Sequence, residues 1–288
     1  MPARDPIAAA PDHCLRAPTA VPTLDGVTDW WPGWATLARH EPSPMAQALR
    51  GGFAADRVGW AFAAGYQAAL RALVPSLPAQ TLAAFCVTEE GGNRPRDIHT
   101  TLTPSPDGGY ALSGAKRWTT LGPQGTWLLV TARLAGEGTD DRPALKVVRV
   151  RADQPGVTVL PMPETAFVPE VPHARIQLQD VAIDASSLLP GDGYAACVKP
   201  FRALEDTFVT AAVLACLLRE ARQRAWPAEL RERLSATLAT LAALSASPLE
   251  APAASIALAG ALHWAAQLYR EAGTLWAQTP DDPAAQRW

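Results

Sequence analysis

Lysine is almost missing from this chain: only Lys116, Lys146 and Lys199 occur, and arginine supplies the other positive charges. No run rich in Lys and Arg appears and the net charge is −3, so the phosphate-tracking surface of a nucleic-acid binder is absent. Cysteine is scarce as well. Cys14, Cys86, Cys197 and Cys216 lie far apart and form no CxxC, which excludes a disulfide framework and points to free thiols in a reducing cytosol. The histidines His13, His40, His99, His173 and His263 are scattered, with no pair at metal-ligand spacing on a helix, so no metal is expected. GxGxxG and the P-loop are both missing. Long apolar runs are missing too. The segment MPARDPIAAAPDHC carries early Pro and Asp and no apolar core, so it does not read as a secretory signal. Ala251 to Tyr269 is uncharged, yet it is mostly alanine and includes Pro252, Ser255, His263 and Gln267. A spanning helix needs ~20 strongly apolar residues; this stretch reads instead as a helix buried in a bundle. A cytoplasmic location without a membrane span is the expectation.

What is present is a large apolar fraction, 48% of 288 residues, enough to bury the core of one large or two modest domains. The chain changes texture twice. Residues 1 to about 30 are rich in Pro and show no period, so an irregular lead is expected. Helix signals begin near Trp34. Val58, Phe62, Tyr66, Ala69 and Leu73 then recur at spacings of three or four, the face of an amphipathic helix that Pro75 and Pro78 end. From about Leu82 short runs with β-branched residues and period-two alternation take over: LAAFCVT, TTLTPS, YALSGAKRWTT, TWLLVTAR, ALKVVRVR, VTVL and ARIQLQDVAI. Pro106-Asp107-Gly108-Gly109 is a hairpin signal and Asp153-Gln154-Pro155-Gly156 a further turn. After Gly191 and Gly193 the helical period returns over Ala195–Ala225, Ala228–Ser245 and Ala254–Ala277. Helices, then strands, then helices argue against a Rossmann alternation. The expected class is α+β: an irregular lead and N-terminal helices over 1–80, a central antiparallel β-barrel or sandwich over 81–190, and a C-terminal helical bundle over 191–288.

Three blocks then point to a family. ALVPSLPAQTLAAFCVTEEGG resembles a pattern in which an LPxL turn leads into a strand ending in (F/Y)xVTEPGAGSD. GGYALSGAKRWTTLG is similar to G(D/E)xYxLNGxKxWITNG. QLQDVAIDASSLLPGDGYAACVKPFRALED resembles VxFxDVxVPxxNLLGxxGxGFxxxxxxLDxER. All three patterns belong to the acyl-CoA dehydrogenases, and here they stand in that family's order and at nearly its spacing, over about Leu73 to Ala215.

The resemblance implies FAD as cofactor, an acyl-CoA thioester as substrate, an electron-transfer acceptor, a place in fatty acid metabolism, and assembly into a homo- or hetero-oligomer. It implies that Thr88, with Phe85 and Val87 beside it, lines the pyrimidine side of the flavin ring. Trp118 would pack on the ring and Thr120 would donate to flavin N5, where a donor stabilises the charge that hydride transfer develops. In most members the base that removes the α-proton is a Glu in a C-terminal YEGT-like segment, and the sequence reaches Trp288 ahead of one. The family's other arrangement places it on the helix after the barrel, in LDxER. Asp206 falls on that position in the simplest alignment, with Glu205 adjacent. Neighbouring helix residues point about 100° apart, so one of the two can serve. The same pair also suits a solvated helix N-terminus.

Departures accompany the likeness. The GAGSD turn that holds the pyrophosphate reads Gly91-Gly92-Asn93-Arg94-Pro95, where Arg94 could hold a phosphate by charge. ERxQFG is reduced to EARQRAWP, and the paired glycines of QIHGGYGY are replaced by Arg270 and Glu271. These losses leave open a second reading, a subunit without chemistry of its own that pairs with a complete acyl-CoA dehydrogenase.

Overall fold

A computed structural model describes residues 6–106 and 108–287. It divides into two compact units, one of residues 6–80 with 201–287 and the other of Thr81–Pro200.

The first unit is helical. Helices α1 (Pro6–Arg16), α2 (Val27–His40), α3 (Pro44–Phe53) and α4 (Val58–Leu73) precede the strands; α5 (Lys199–Gln223), α6 (Ala228–Ser245), α7 (Pro252–Trp276) and the short α8 (Pro283–Arg287) follow them. Small residues let the backbones meet. A Cβ on Gly52 would stand 2.1 Å from the Ala212 carbonyl oxygen, and one on Gly65 would stand 2.5 Å from Val209 Cα, so α3 and α4 lie directly on α5. Trp30 stacks on Trp60 at 5.7 Å between ring centroids, and the Arg71 guanidinium lies 4.5 Å above Trp34.

The irregular lead is corrected here. Pro6–Arg16 is a helix, with residues 1–5 outside the described ones. Proline at the first helical position is compatible with a helix, and tertiary burial outweighs the cost of Pro11: Ala10 and Cys14 are fully buried, and Arg222 of α5 donates to the carbonyls of Cys14 and Ala17 near the helix end. Helix α2 likewise starts at Val27, ahead of the first periodic signal, and contains Pro32.

The second unit is one sheet of seven strands: β1 (Ala83–Cys86), β2 (Thr101–Pro104), β3 (Tyr110–Thr120), β4 (Trp127–Gly138), β5 (Pro143–Arg151), β6 (Val157–Pro161) and β7 (His173–Ile183). The strands run in the order β1-β4-β2-β3-β7-β6, with β5 also on β4. All seven expected runs are strands. The sheet differs in detail from a purely antiparallel one, because β4 pairs parallel with β1 and with β2. β1, β2 and β4 all run in the same direction, and no α-helix lies between these strands among the described residues. The β2–β3 hairpin forms where the turn signal stands, with Ser105 N–H donating to the Gly109 carbonyl; Asp107 of that signal lies outside the described residues. Alternation is clean in β7, where Ala174, Ile176 and Leu178 are buried and Arg175, Gln177 and Gln179 are exposed. The core is built of Leu102, Leu112, Leu128, Val130, Val148, Val150, Ile176 and Val181.

Among the described residues no helix is long and apolar enough to cross a membrane.

Candidate active site

The β unit brings several of the expected residues to one end of β3. The cause is a break in the β3–β7 ladder. Lys116 pairs with Ile176 and Thr119 with Ala174, so Arg117 and Trp118 together face Arg175 alone. This is a β-bulge, one extra residue that bends its strand and re-aims a side chain. Trp118 takes the extra position with φ +55. The left-handed region costs a residue with a Cβ about 1–2 kcal/mol, so it persists only where the surroundings hold it. The result is a tryptophan turned out of the sheet and 42% exposed.

The surroundings that hold it are explicit. Arg117 N–H donates to the Thr88 carbonyl at 2.9 Å, which fixes Trp118 one residue away from the partner of Thr88. The backbone N–H of Trp118 donates to Met162 Sδ at 3.2 Å. The Arg117 guanidinium lies 5.7 Å from the indole centroid and pairs with Glu90, and His173 meets the same indole edge-on at 6.1 Å. Thr120 pairs with His173 across β3–β7, and its Oγ1 stands 3.4 Å from His173 Nε2. Thr88, Trp118 and Thr120 therefore gather at one place, with Val87 half-buried and Phe85 buried on the approach from β1.

Beneath this group lies a buried ion pair. Lys116 Nζ is 2.7 Å from Glu89 Oε1, and the ammonium is sealed from solvent. Glu89 also accepts from the backbone N–H groups of His99 and Thr100 and from Thr100 Oγ1. Burial pushes the Glu89 carboxyl up, but Lys116 and the backbone donors outweigh it and hold the group below its usual range. The same burial lowers Lys116, with Glu89 opposing. A cleft of about 270 Å³ opens beside the pair, bordered by Gly91, His99, Ala115, Arg117 and Arg175.

Arg94 is placed differently. It is exposed, and its backbone N–H donates to Asp97 Oδ2 in a capped turn. Gly92 holds φ +134 and closes a tight turn on Glu89, where a Cβ would meet Asp97 Oδ2 at 2.8 Å.

The two acids of α5 belong to the helical unit, and their surroundings separate them. Glu205 is half-buried, and burial followed by the charge of Asp206 pushes its carboxyl up to about 7. Asp206 is exposed; burial raises it less and Arg202 opposes. Simple alignment favours Asp206 as the base, and the larger upward shift falls on its neighbour Glu205.

His173 and Met162 are site neighbours that the sequence did not announce. His173 looked like one of five isolated histidines, and its partners Thr120 and Trp118 lie more than fifty residues away in sequence.

Residues 84–181 match the model of the acyl-CoA dehydrogenase middle domain. The chain is 39% identical over 92 residues to FadE10 of Mycobacterium tuberculosis, named a probable acyl-CoA dehydrogenase; the match covers 31% of this chain and 14% of FadE10, so it spans a small part of that relative. The fold is similar to that of butyryl-CoA dehydrogenase from Megasphaera elsdenii, with a TM-score of 0.61 at 16% identity over 91% of this chain and 76% of the other. It is similar also to PigA in its FAD complex, with a TM-score of 0.68 at 15% identity over 98% and 88%. Residues 84–181 thus carry an acyl-CoA dehydrogenase middle domain, and the fold of the chain is that of the acyl-CoA dehydrogenases.

Proposed function

We propose that this protein is an FAD-dependent oxidoreductase that desaturates an acyl-CoA thioester between its α and β carbons and passes the electrons to an external acceptor. The observation that carries this reading is Trp118, a large aromatic held outside the sheet at an energetic cost. A strained, exposed tryptophan has no use in the packing of the sheet, and such strain collects at functional sites. PigA, the structural neighbour solved as an FAD complex, supports the choice of cofactor.

The residues present fit the ring end of a flavin. The indole of Trp118 offers a flat apolar wall, Thr120 a hydroxyl, and Thr88 a side chain whose carbonyl is already engaged by Arg117. Arg94, exposed beside the Gly91-Gly92 turn, would meet a pyrophosphate by charge. When bound, the flavin would supply the hydride acceptor at N5. Trp118 orients the ring and keeps water from one face. Thr120 donates a hydrogen bond where negative charge develops. Glu205 takes the α-proton, because its raised pKa puts a good base within reach of neutral pH. The exposed side of α7 ahead of Arg270 is uncharged, with Ile256 and Trp264 outward, and supports assembly with further copies or a sister subunit.

Reconstitution of the full chain with FAD, followed by a screen of acyl-CoAs for flavin bleaching, tests the reading. A yellow protein that bleaches is expected; a chain that takes up no flavin contradicts it. Glu205→Gln should lower the bleaching rate by ~10²–10⁴-fold with FAD retained, and Asp206→Asn should leave most of it. In the parent protein the rate should rise with pH through about 7, as Glu205 loses its proton. A reversed ranking of the two variants would return the role of base to Asp206.

A further inference from the structure

A flavin nucleotide brings a charged tail as well as a ring, and the tail needs cations. Arg94 lies outside the walls of the cleft of about 270 Å³ beside Lys116 and Glu89. Of the cations that do border the cleft, Lys116 is paired with Glu89 and Arg117 with Glu90. Arg175 differs from both. It is exposed, and among the described residues its side chain has neither an ion pair nor a hydrogen bond. Its place follows from register. Ile176 is buried, so Arg175 beside it points off the opposite face of β7, and the bulge sets it across from Arg117 and Trp118. Arg117 is incompletely used as well: its Nε is buried and has no hydrogen-bond partner among the described residues. A buried polar atom without a partner is rare and marks a place for a ligand, an ion or a water. Gly91, Gly114 and Ala115 bring nothing larger than a methyl group to the walls, which keeps the cleft open.

We propose, resting on the flavin reading, that this cleft is a phosphate subsite for the flavin nucleotide, with Arg175 and Arg117 as its cations. An arginine fork matches a phosphate with two parallel N–H···O bonds, and Arg175 carries a charge that no carboxylate of the chain neutralises. The ring side agrees with this. The Arg117 guanidinium lies 5.7 Å from the Trp118 indole centroid, so the wall for the ring and the seat for the charge meet at one residue. Glu90 opposes the phosphate. It is exposed, holds Arg117 and repels an anion, so Glu90 and phosphate compete for one guanidinium. The sheet thereby supplies a charge anchor that the altered Gly91-Gly92 turn does not contain.

The test uses the full chain with riboflavin, FMN and FAD, which share the ring and differ in phosphate. Arg175→Gln and Glu90→Gln are changes at exposed positions and should leave the fold intact. Affinity is read from flavin fluorescence quenching at low and at moderate salt. Arg175→Gln should weaken FMN and FAD by about tenfold and bind riboflavin as the parent does. Glu90→Gln should tighten FMN and FAD by about two- to fivefold, since it frees Arg117 and removes a repelling charge. Both changes should shrink as salt rises. A second readout needs no flavin: inorganic pyrophosphate, followed by phosphorus NMR, should bind the FAD-free parent more tightly than Arg175→Gln. CoA, which also carries phosphate, distinguishes the source. Loss of CoA affinity in Arg175→Gln with FMN affinity unchanged would give the cleft to the substrate and overturn the proposal. An equal loss for riboflavin, or a Glu90→Gln variant that weakens FMN, would overturn it too. If the parent takes up none of these flavins, the flavin reading itself fails and the subsite goes with it. FAD uptake with an indifferent Arg175→Gln defeats the subsite alone.

Discussion

Strand β3 is interrupted twice against β7, and the two interruptions are solved in opposite ways. Near its start, Ser113 alone stands opposite Gln179 and Asp180, and the extra residue lies on β7. Near its end, Arg117 and Trp118 stand opposite Arg175, and the extra residue lies on β3. Each bulge places a residue with a side chain in the left-handed region, Asp180 at φ +47 and Trp118 at φ +55. Asp180 belongs there. Asp is among the few non-glycine residues that enter this region readily, and its strain is offset locally: Ser113 Oγ donates to Asp180 Oδ1 at 2.8 Å and accepts from Asp180 N–H at 3.0 Å. Trp118 has no such chemistry. Its side chain does nothing to satisfy its own backbone, and the backbone N–H rests on a thioether, a weak acceptor. The Asp180 bulge is held by its own side chain, whereas the Trp118 bulge is held by its neighbours Arg117, His173 and Met162, and its indole stays exposed on the face the proposed flavin would cover.

The contrast can be broken most forcefully from below. Lys116, the last regular residue before the Trp118 bulge, depends on Glu89 far more than Glu89 depends on Lys116: among the described residues the ammonium's other hydrogen-bond partner is the Val87 carbonyl at 3.4 Å. Glu89→Leu should strand a buried ammonium and cost about 3–5 kcal/mol in denaturant unfolding. Lys116→Met leaves Glu89 its Thr100 and His99 donors and should cost about 1–3 kcal/mol. The double variant should recover part of the loss. Equal effects of the two single variants would remove the asymmetry. The pH dependence follows the same pair. The folded pKa of Glu89 lies below its ordinary value, so its contribution is whole above about 4.5 and is lost as pH falls through the folded value. Glu89→Gln should flatten that acid limb.

At the other bulge the expected changes are smaller. Ser113→Ala removes one partner of a half-exposed contact and should cost about 1 kcal/mol. Asp180→Gly trades the Ser113 bond for free access to positive φ and should be nearly neutral. Neither should alter flavin uptake, and a change in uptake in either variant would mean that the two bulges are not functionally separate.

Much of this was open to reading in the residues. Short apolar runs with β-branched residues marked all seven strands; β7, half-buried, displays its wet face as alternation, whereas β1 is buried throughout and shows none. The Thr88, Trp118 and Thr120 group was legible through motif likeness. Their meeting was not, since the Arg117–Thr88 contact bridges β3 and the segment after β1. The bulge left no local sign, because a tryptophan in a strand ordinarily reads as core. His173 stayed hidden for a similar reason: its chemistry comes from register with Thr120. In the helical unit proline misled, for α1 forms around Pro11 once burial of Ala10 and Cys14 and the Arg222 bonds favour it.

Trp118→Gly tests the central claim most directly, through paired measurements of stability and FAD affinity on the same protein. Glycine relieves the left-handed strain and removes an exposed ring, so the variant should unfold no more easily than the parent and gain up to about 1 kcal/mol. The lost stacking wall should weaken FAD binding by about tenfold, the loss expected when an aromatic contact of about 1.5 kcal/mol is removed. A variant that is more stable and binds FAD more weakly is the predicted result. A variant that is destabilised by several kcal/mol, or that holds FAD as tightly as the parent, would show that Trp118 serves the sheet and not a flavin.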